Sequence, residues 1–344
     1  MKRLGFVDTV KGIAIICVVI GHIANGYLNS NTTSNIAVYQ FIYNVIYSFH
    51  MPLFFLISGF VFSHSYIRFD ATIDKERVRK QIYNLIYIYF LFSVVMGISK
   101  MVLGAYVNEP TGLKDILCIP LFPIQLYWYI YVLIFYYLIV SILISNHVKF
   151  RFIIPVAFIL SIASYYLPSG LAFDLKRLLY YCFFFCLGIC REQAHKNIWT
   201  ENALARRIIL LLSIIVIYVN VWNNNRVCEV FVVNVLVGMV LSISIFDIFE
   251  YKLYDGNRGL SYIGENALVI YLIHSYILTA LRVFYDKLLI DNCFIILMTG
   301  TILGVLIPMM FAIFSKKLGL YSFFFDITKK MNDHVYESYG DTMK

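Results

Sequence analysis

The polar positions of this chain are sparse and bunched, and the intervals between them are almost wholly apolar. Long apolar runs recur at approximately 10–28, 50–66, 82–104, 125–145, 150–167, 176–190, 207–222, 228–249, 262–284 and 293–315. A helix rising 1.5 Å per residue needs about 20 such residues to cross roughly 30 Å of hydrocarbon. A surface helix of a soluble protein would keep a continuous polar stripe, and these runs have none. The pattern predicts an all-α, polytopic integral membrane protein with about ten transmembrane helices and no appended soluble domain. Segment 37–49 is apolar too, and Pro52 separates it from a span that begins near His50, since proline is tolerated in a helix's first turn. Residues 1–315 read as the membrane-embedded domain and 316–344 as a short polar cytoplasmic tail.

Composition sharpens this picture. The 344 residues are 61% hydrophobic and 14% charged, with a mean hydropathy of +0.77. An ordinary soluble domain has about 45–50% apolar and about 25% charged residues, so a soluble enzyme and a disordered chain are both excluded. The net charge of +8 does not indicate nucleic acid, because no stretch interleaves basic and aromatic residues on a solvated face. It reflects loop charge. Twenty of the lysines and arginines fall in alternate loops and at the two ends of the chain, against six in the other loops. That bias predicts a multi-pass protein of the plasma (inner) membrane with both termini cytoplasmic. Lys2 and Arg3 resemble the start of a signal peptide, but Lys11 interrupts the apolar run and no small-residue cleavage site follows, so the first span reads as uncleaved.

The seven cysteines lie almost entirely in apolar runs, without a CxxC pair. Cys182, Cys186 and Cys190 share one helix face, which suits close packing of small side chains better than a metal. No metal site is expected.

Ionisable groups inside a bilayer are costly and mark function by default. His22, His50 and His274 qualify, and Lys11, Asp8 and Glu265 sit near span ends. Lys11 and His22 are eleven residues apart. Eleven steps of about 100° come to just over three turns, which puts both on one helix face about 16 Å apart along the axis. Asp8 is one turn from Lys11 and suits pairing with it; Asn25 is one turn from His22 and suits orienting its ring. The outward placement of His50 and His274 in their spans brings three imidazoles to a similar depth. Neutral imidazole is a proton acceptor suited to chemistry near neutral pH. The sequence has no G-x-S-x-G elbow, Walker A loop, HExxH or GxGxxG.

These residues resemble a known family. Asp8-Thr9-Val10-Lys11-Gly12-Ile13-Ala14 followed by Gly21-His22 resembles the first span of the integral-membrane acyltransferase 3 family. Tyr47-Ser48-Phe49-His50-Met51-Pro52-Leu53-Phe54-Phe55 with Ile57-Ser58-Gly59-Phe60 resembles its second-span signature, in the version of the fucose 4-O-acetylase-like branch. Leu126-Tyr127-Trp128-Tyr129, Phe183-Phe184-Phe185-Cys186-Leu187-Gly188 and Ile263-Gly264-Glu265-Asn266-Ala267-Leu268 through Tyr271-Leu272-Ile273-His274 resemble later stretches. The chain departs from the family in having Lys11 where arginine is commoner, which keeps charge but loses a bidentate contact. Ala267 also stands where the family has serine.

The resemblance implies an O-acetyltransferase that takes its acyl group from acetyl-CoA as a donor substrate, with no bound cofactor, and passes it to a carbohydrate or glycolipid acceptor. It implies catalytic roles for His22, His50 and His274. It implies donor contacts by Lys11 and by Arg77, Arg79 and Lys80, which precede the third span. The expected partners are acyl-CoA, the acceptor and the lipid bilayer, and not nucleic acid. A transporter or flippase for a lipid-linked sugar is the alternative, since many spans and buried histidines also suit proton-coupled transport.

Overall fold

The computed structural model describes residues 4–30, 33–68, 72–104, 110–193, 208, 211–212, 215, 231–252 and 256–328. The expected span at 207–222, Lys2, Arg3, Cys228 and the end of the tail lie mostly or wholly outside them. Among the described residues the structure is helical, with a single β-bridge between Ile67 and Ile73. The all-α, membrane-embedded expectation holds. Six helical segments are long and apolar enough to cross a membrane: Gly5–Leu28, Ile36–Tyr66, Lys75–Val102, Gln125–Ser145, Ala267–Lys287 and Cys293–Lys317.

The chain divides into two compact units. The first comprises Met1–Ser65, Lys149–Ser169 and Leu179–Pro308. Its axis is α1 (Gly5–Leu28), whose 24 residues give about 36 Å of helix. Then come α2 (Ile36–Tyr47) and α3 (His50–Tyr66). Pro52 is the third residue of α3, where its missing N–H leaves no internal bond unmade. The helix α4 (Lys75–Val102) belongs to the second unit, as do α5 (Leu113–Leu117) and α6 (Trp128–Ser145). The first unit resumes with α7 (Phe150–Ala163) and most of α8 (Leu175–Gln193), followed by α9 (Phe231–Lys252), α10 (Arg258–Glu265), α11 (Ala267–Lys287) and most of α12 (Cys293–Lys317). The expected span at 262–284 is thus two helices. Asn266 ends α10 and donates from Nδ2 to the Tyr262 carbonyl at 2.8 Å, and the apolar helix starts at Ala267.

Lipid is as apolar as a leucine side chain, so helices in a bilayer associate through close contact rather than through the hydrophobic effect. Two crossings in the first unit show this. Gly12 and Gly264 let α1 and α10 meet backbone to backbone, and Gly59 and Gly188 do the same for α3 and α8. A cap network secures the first crossing: Thr9 Oγ1 accepts from the Asn257 N–H at 2.9 Å, and Thr9 and Ser261 hydroxyls lie 2.8 Å apart. Beside it, Phe6 packs edge-on against Phe60 and Phe246. At this same end the last turn of α8 is tied on both sides. Ser63 donates to Glu192 at 2.8 Å, and Arg191 binds fully buried Asp247 at 2.9 Å and also pairs with Glu250.

The opposite end of the first unit is closed by a polar latch. Asp291, between α11 and α12, accepts from the Ser34 hydroxyl at 2.5 Å, the Thr33 hydroxyl at 2.6 Å and the Ser34 N–H at 2.8 Å. The Asn35 side chain donates to the Asp291 carbonyl at 2.8 Å. These bonds, the Ser34 hydroxyl foremost, pull the Asp291 carboxyl down to about 2. A carboxylate depressed in the folded state stabilises above its unfolded pKa and loses that contribution as pH falls through the folded value. Asp291→Asn should therefore lower the thermal midpoint of the detergent-solubilised protein by a constant margin from pH 7 to about pH 4. The margin should shrink between about pH 4 and pH 2. A margin that grows on acidification would exclude the latch.

The second unit comprises Tyr66–Val148, Gly170–Leu178 and Met309–Lys344. Asp74 caps α4 by accepting from the Arg77 N–H at 3.2 Å. The first part of the expected polar tail is packed down here. In α13 (Tyr321–Phe325), Phe325 is buried, and its carbonyl accepts from Asn84 at 3.3 Å while that of Phe323 accepts from Tyr87 at 2.8 Å.

Candidate active site

The site is built along α1. Gly21 has no side chain, and this lets α2 close on α1: a Cβ there would lie 2.9 Å from Ile46 Cγ2 and 3.2 Å from Tyr47 Cε2. The Tyr47 ring is therefore held beside His22. Their centroids are 6.4 Å apart, edge to face, and Tyr47 meets His50 in the same way at 4.6 Å. On the other flank His274, from α11, stands 5.2 Å from His22. Rings from α1, α3 and α11 thus form one connected cluster, in which His22 touches Tyr47 and His274, and Tyr47 touches His50.

The three imidazoles are not equivalent. His50 Nδ1 lies 2.8 Å from the Ile46 carbonyl, and His274 Nδ1 lies 2.8 Å from the Ile270 carbonyl. A carbonyl only accepts, so Nδ1 carries the hydrogen in both rings. In the neutral ring Nε2 is then a lone-pair acceptor. Both rings are sealed, at 3% and 0% exposure, and His274 Nε2 has no hydrogen-bond partner among the described residues. His22 is partly exposed and makes no hydrogen bond among the described residues. Of the three rings it alone is both partly exposed and without a hydrogen bond among the described residues.

The remaining sequence-selected residues divide. Asp8 is buried and accepts from Lys11 Nζ at 3.4 Å, one turn apart as expected. Asn25 does not orient His22: its side-chain carbonyl accepts from Asn29 at 3.2 Å, one turn further along α1. Arg77, Arg79 and Lys80 sit in the first turns of α4, in the second unit. Arg77 pairs with Asp74 at 3.5 Å and Lys80 with Glu76 at 3.0 Å, so part of that cluster's charge is neutralised locally. The Arg77 N–H and then Arg68 hold the Asp74 carboxyl below its usual range. Among the described residues no group of three or more His, Cys, Asp or Glu side chains is placed to hold a metal ion. The Cys182 thiol instead packs against the carbonyls of Leu179 and Ala157, at 3.0 Å and 3.4 Å.

Sequence reasoning passed over Tyr43 and Tyr47 as site residues. Their signal was present as Tyr39, Tyr43 and Tyr47 at four-residue spacing, one face of a helix. It also passed over Asp247, a carboxylate in an apolar run with no cation within a turn of it on its own helix.

Taken together, these elements define a class: a multi-pass, α-helical membrane protein with a cluster of imidazoles drawn from three of its helices. The family model for the acyltransferase domain of the acyltransferase 3 type matches residues 4–314. The chain belongs to the acyltransferase 3 family, which makes it a membrane acyltransferase. No curated protein and no solved structure matches it.

Proposed function

We propose that the protein moves an acetyl group from acetyl-CoA to a sugar hydroxyl of a surface polysaccharide, a glycolipid or its precursor, with His22 as general base. The observation that carries the assignment is the asymmetry of the cluster. His50 and His274 are sealed and tied by Nδ1 to their own helices, whereas His22 keeps an unbound, partly exposed ring.

In the proposed step a ring nitrogen of His22 takes the proton of the acceptor hydroxyl. The oxygen attacks the thioester carbonyl, a C–O bond forms, the C–S bond breaks, and the departing thiolate takes a proton from His22. The lone pair on His274 Nε2, with its ring 5.2 Å from His22, is suited to accept the other N–H of His22 and fix its tautomer. That same lone pair disqualifies neutral His274 as an oxyanion donor, a role that needs an N–H or O–H.

Lys11 lies about 16 Å along the same face of α1. It offers a cation to a coenzyme A phosphate while the pantetheine arm runs along α1 towards His22. With both termini cytoplasmic, Lys11 faces the compartment that makes acyl-CoA and the histidines lie towards the outer side. Arg77, Arg79 and Lys80 are further donor contacts in this reading, of which Arg79 has no ion pair among the described residues. Family membership favours acyl transfer over a sugar flippase.

The test is mass spectrometry of surface polysaccharide from cells with the gene intact and deleted. Loss of an acetyl from a sugar on deletion is the expected result. Unchanged acylation with an altered amount of polymer would indicate transport or assembly and would end the acetyltransferase reading.

A further inference from the structure

The face of α2 that meets α1 carries Tyr39, Tyr43 and Tyr47, spread over about 12 Å of helix. The three do different work. Tyr39 is fully buried and stacks on buried Tyr27, with centroids 5.1 Å apart and planes 7° from parallel. That pair is packing, and it adjoins the Asp291 latch. Tyr43 and Tyr47 also stack, at 4.0 Å and 27°, but both rings stay partly exposed. Tyr47 also has imidazole neighbours. Its ring stands between His22 and His50, over Gly21. An aromatic platform therefore begins beside the proposed base and leads along α2 towards the Tyr27–Tyr39 end, away from Lys11.

A pyranose presents one face of C–H bonds whose partial positive charge is attracted to the negative face of an aromatic ring. Tyrosine adds a hydroxyl that can bond the sugar's own hydroxyls. The placement matches what the reaction needs: the donor enters along α1 from the Lys11 end, so the second substrate has to approach His22 from the other direction. We propose that Tyr43 and Tyr47 form the acceptor subsite, stacking the sugar ring so that one of its hydroxyls reaches His22. This rests on the acetyltransferase reading above and adds to it the place, and the chemistry, by which the carbohydrate is held.

The experiment uses the full-length protein in nanodiscs with acetyl-CoA and a panel of methyl pyranosides, with acetylated product read by mass spectrometry. Tyr43→Leu and Tyr47→Leu should each raise the acceptor KM about 10-fold, roughly what loss of one stacking contact gives, while the donor KM holds. Tyr43→Phe and Tyr47→Phe keep the ring and should stay within about threefold of wild type. If Tyr47→Leu fails to fold, Tyr43→Leu, one turn further from the histidines, carries the same test. A donor KM that rises with the acceptor KM, or in place of it, would place the acyl-CoA arm on this face and overturn the platform alone. An acceptor KM that does not move would overturn it too. Wild-type protein that consumes no acetyl-CoA and acetylates none of the sugars would remove the acetyltransferase reading, and the platform with it.

Discussion

His22→Ala should lower acetyl transfer by about 10²–10⁴-fold, the range that a positioned general base contributes. The protein should still be inserted and folded, because His22 makes no hydrogen bond among the described residues for the substitution to break. The donor should still bind, since Lys11 and Asp8 lie about three and four turns away on α1. Saturating acetyl-CoA should therefore raise the thermal midpoint of His22→Ala as it does that of wild type. His274→Ala should behave differently. It removes the acceptor suited to hold the His22 tautomer and leaves the base, so a smaller loss, of about 10-fold, is expected. A folded His22→Ala protein that transfers acetyl at a near-normal rate would remove His22 from the mechanism. A loss accompanied by disappearance of the donor-induced shift would make it a binding residue instead.

The sequence displays the parts of this site that a single helix encodes. Lys11 and His22 share a face because eleven residues make just over three turns, and Asp8 reaches Lys11 because three residues make nearly one. The same arithmetic misplaced Asn25. Its side chain has two neighbours on its helix, His22 before it and Asn29 after it, and spacing alone does not choose between them. Hydropathy located the apolar runs, but it responds to lipid and to protein interior alike. It therefore read residues 262–284 as one span where the chain breaks at Asn266, a buried residue whose side chain turns back on the Tyr262 carbonyl. Contacts between distant residues were the least legible. Arg191 and Asp247 are 56 residues apart, and Thr33 and Asp291 are 258 apart. Nothing local to either residue names its partner. The tautomers of His50 and His274 were illegible for a different reason: the partner carbonyl is only four residues earlier, but spacing does not say whether the ring folds back to it.

Gly264→Val should be the most destabilising of the simple substitutions in α10, and Gly12→Val should match it from the other side of the crossing. A Cβ on Gly264 would sit 1.8 Å from the Asp8 carbonyl oxygen, and one on Gly12 would sit 2.1 Å from that of Leu260. The atoms in the way are backbone, so no rotamer change relieves the clash and the helices have to part. Parting them breaks the Thr9, Asn257 and Ser261 bonds that cap the crossing. Overpacking a tight interface costs about 1–3 kcal/mol and occasionally more; with lost hydrogen bonds at about 1 kcal/mol each, these variants belong at the upper end. The crossing also holds Asp8 and hence Lys11, so a variant that survives should show a raised KM for acetyl-CoA. Gly26 supplies the control. It lies in the same helix as Gly12, yet among the described residues nothing stands within 4 Å of where its Cβ would go. Gly26→Ala should therefore gain up to about 1 kcal/mol from helix propensity. Thermal midpoints of the three variants in one detergent decide the matter. Gly264→Val melting with wild type would mean that α1 and α10 do not touch through these glycines, and the geometry that holds Lys11 at one end of the site would have to be abandoned.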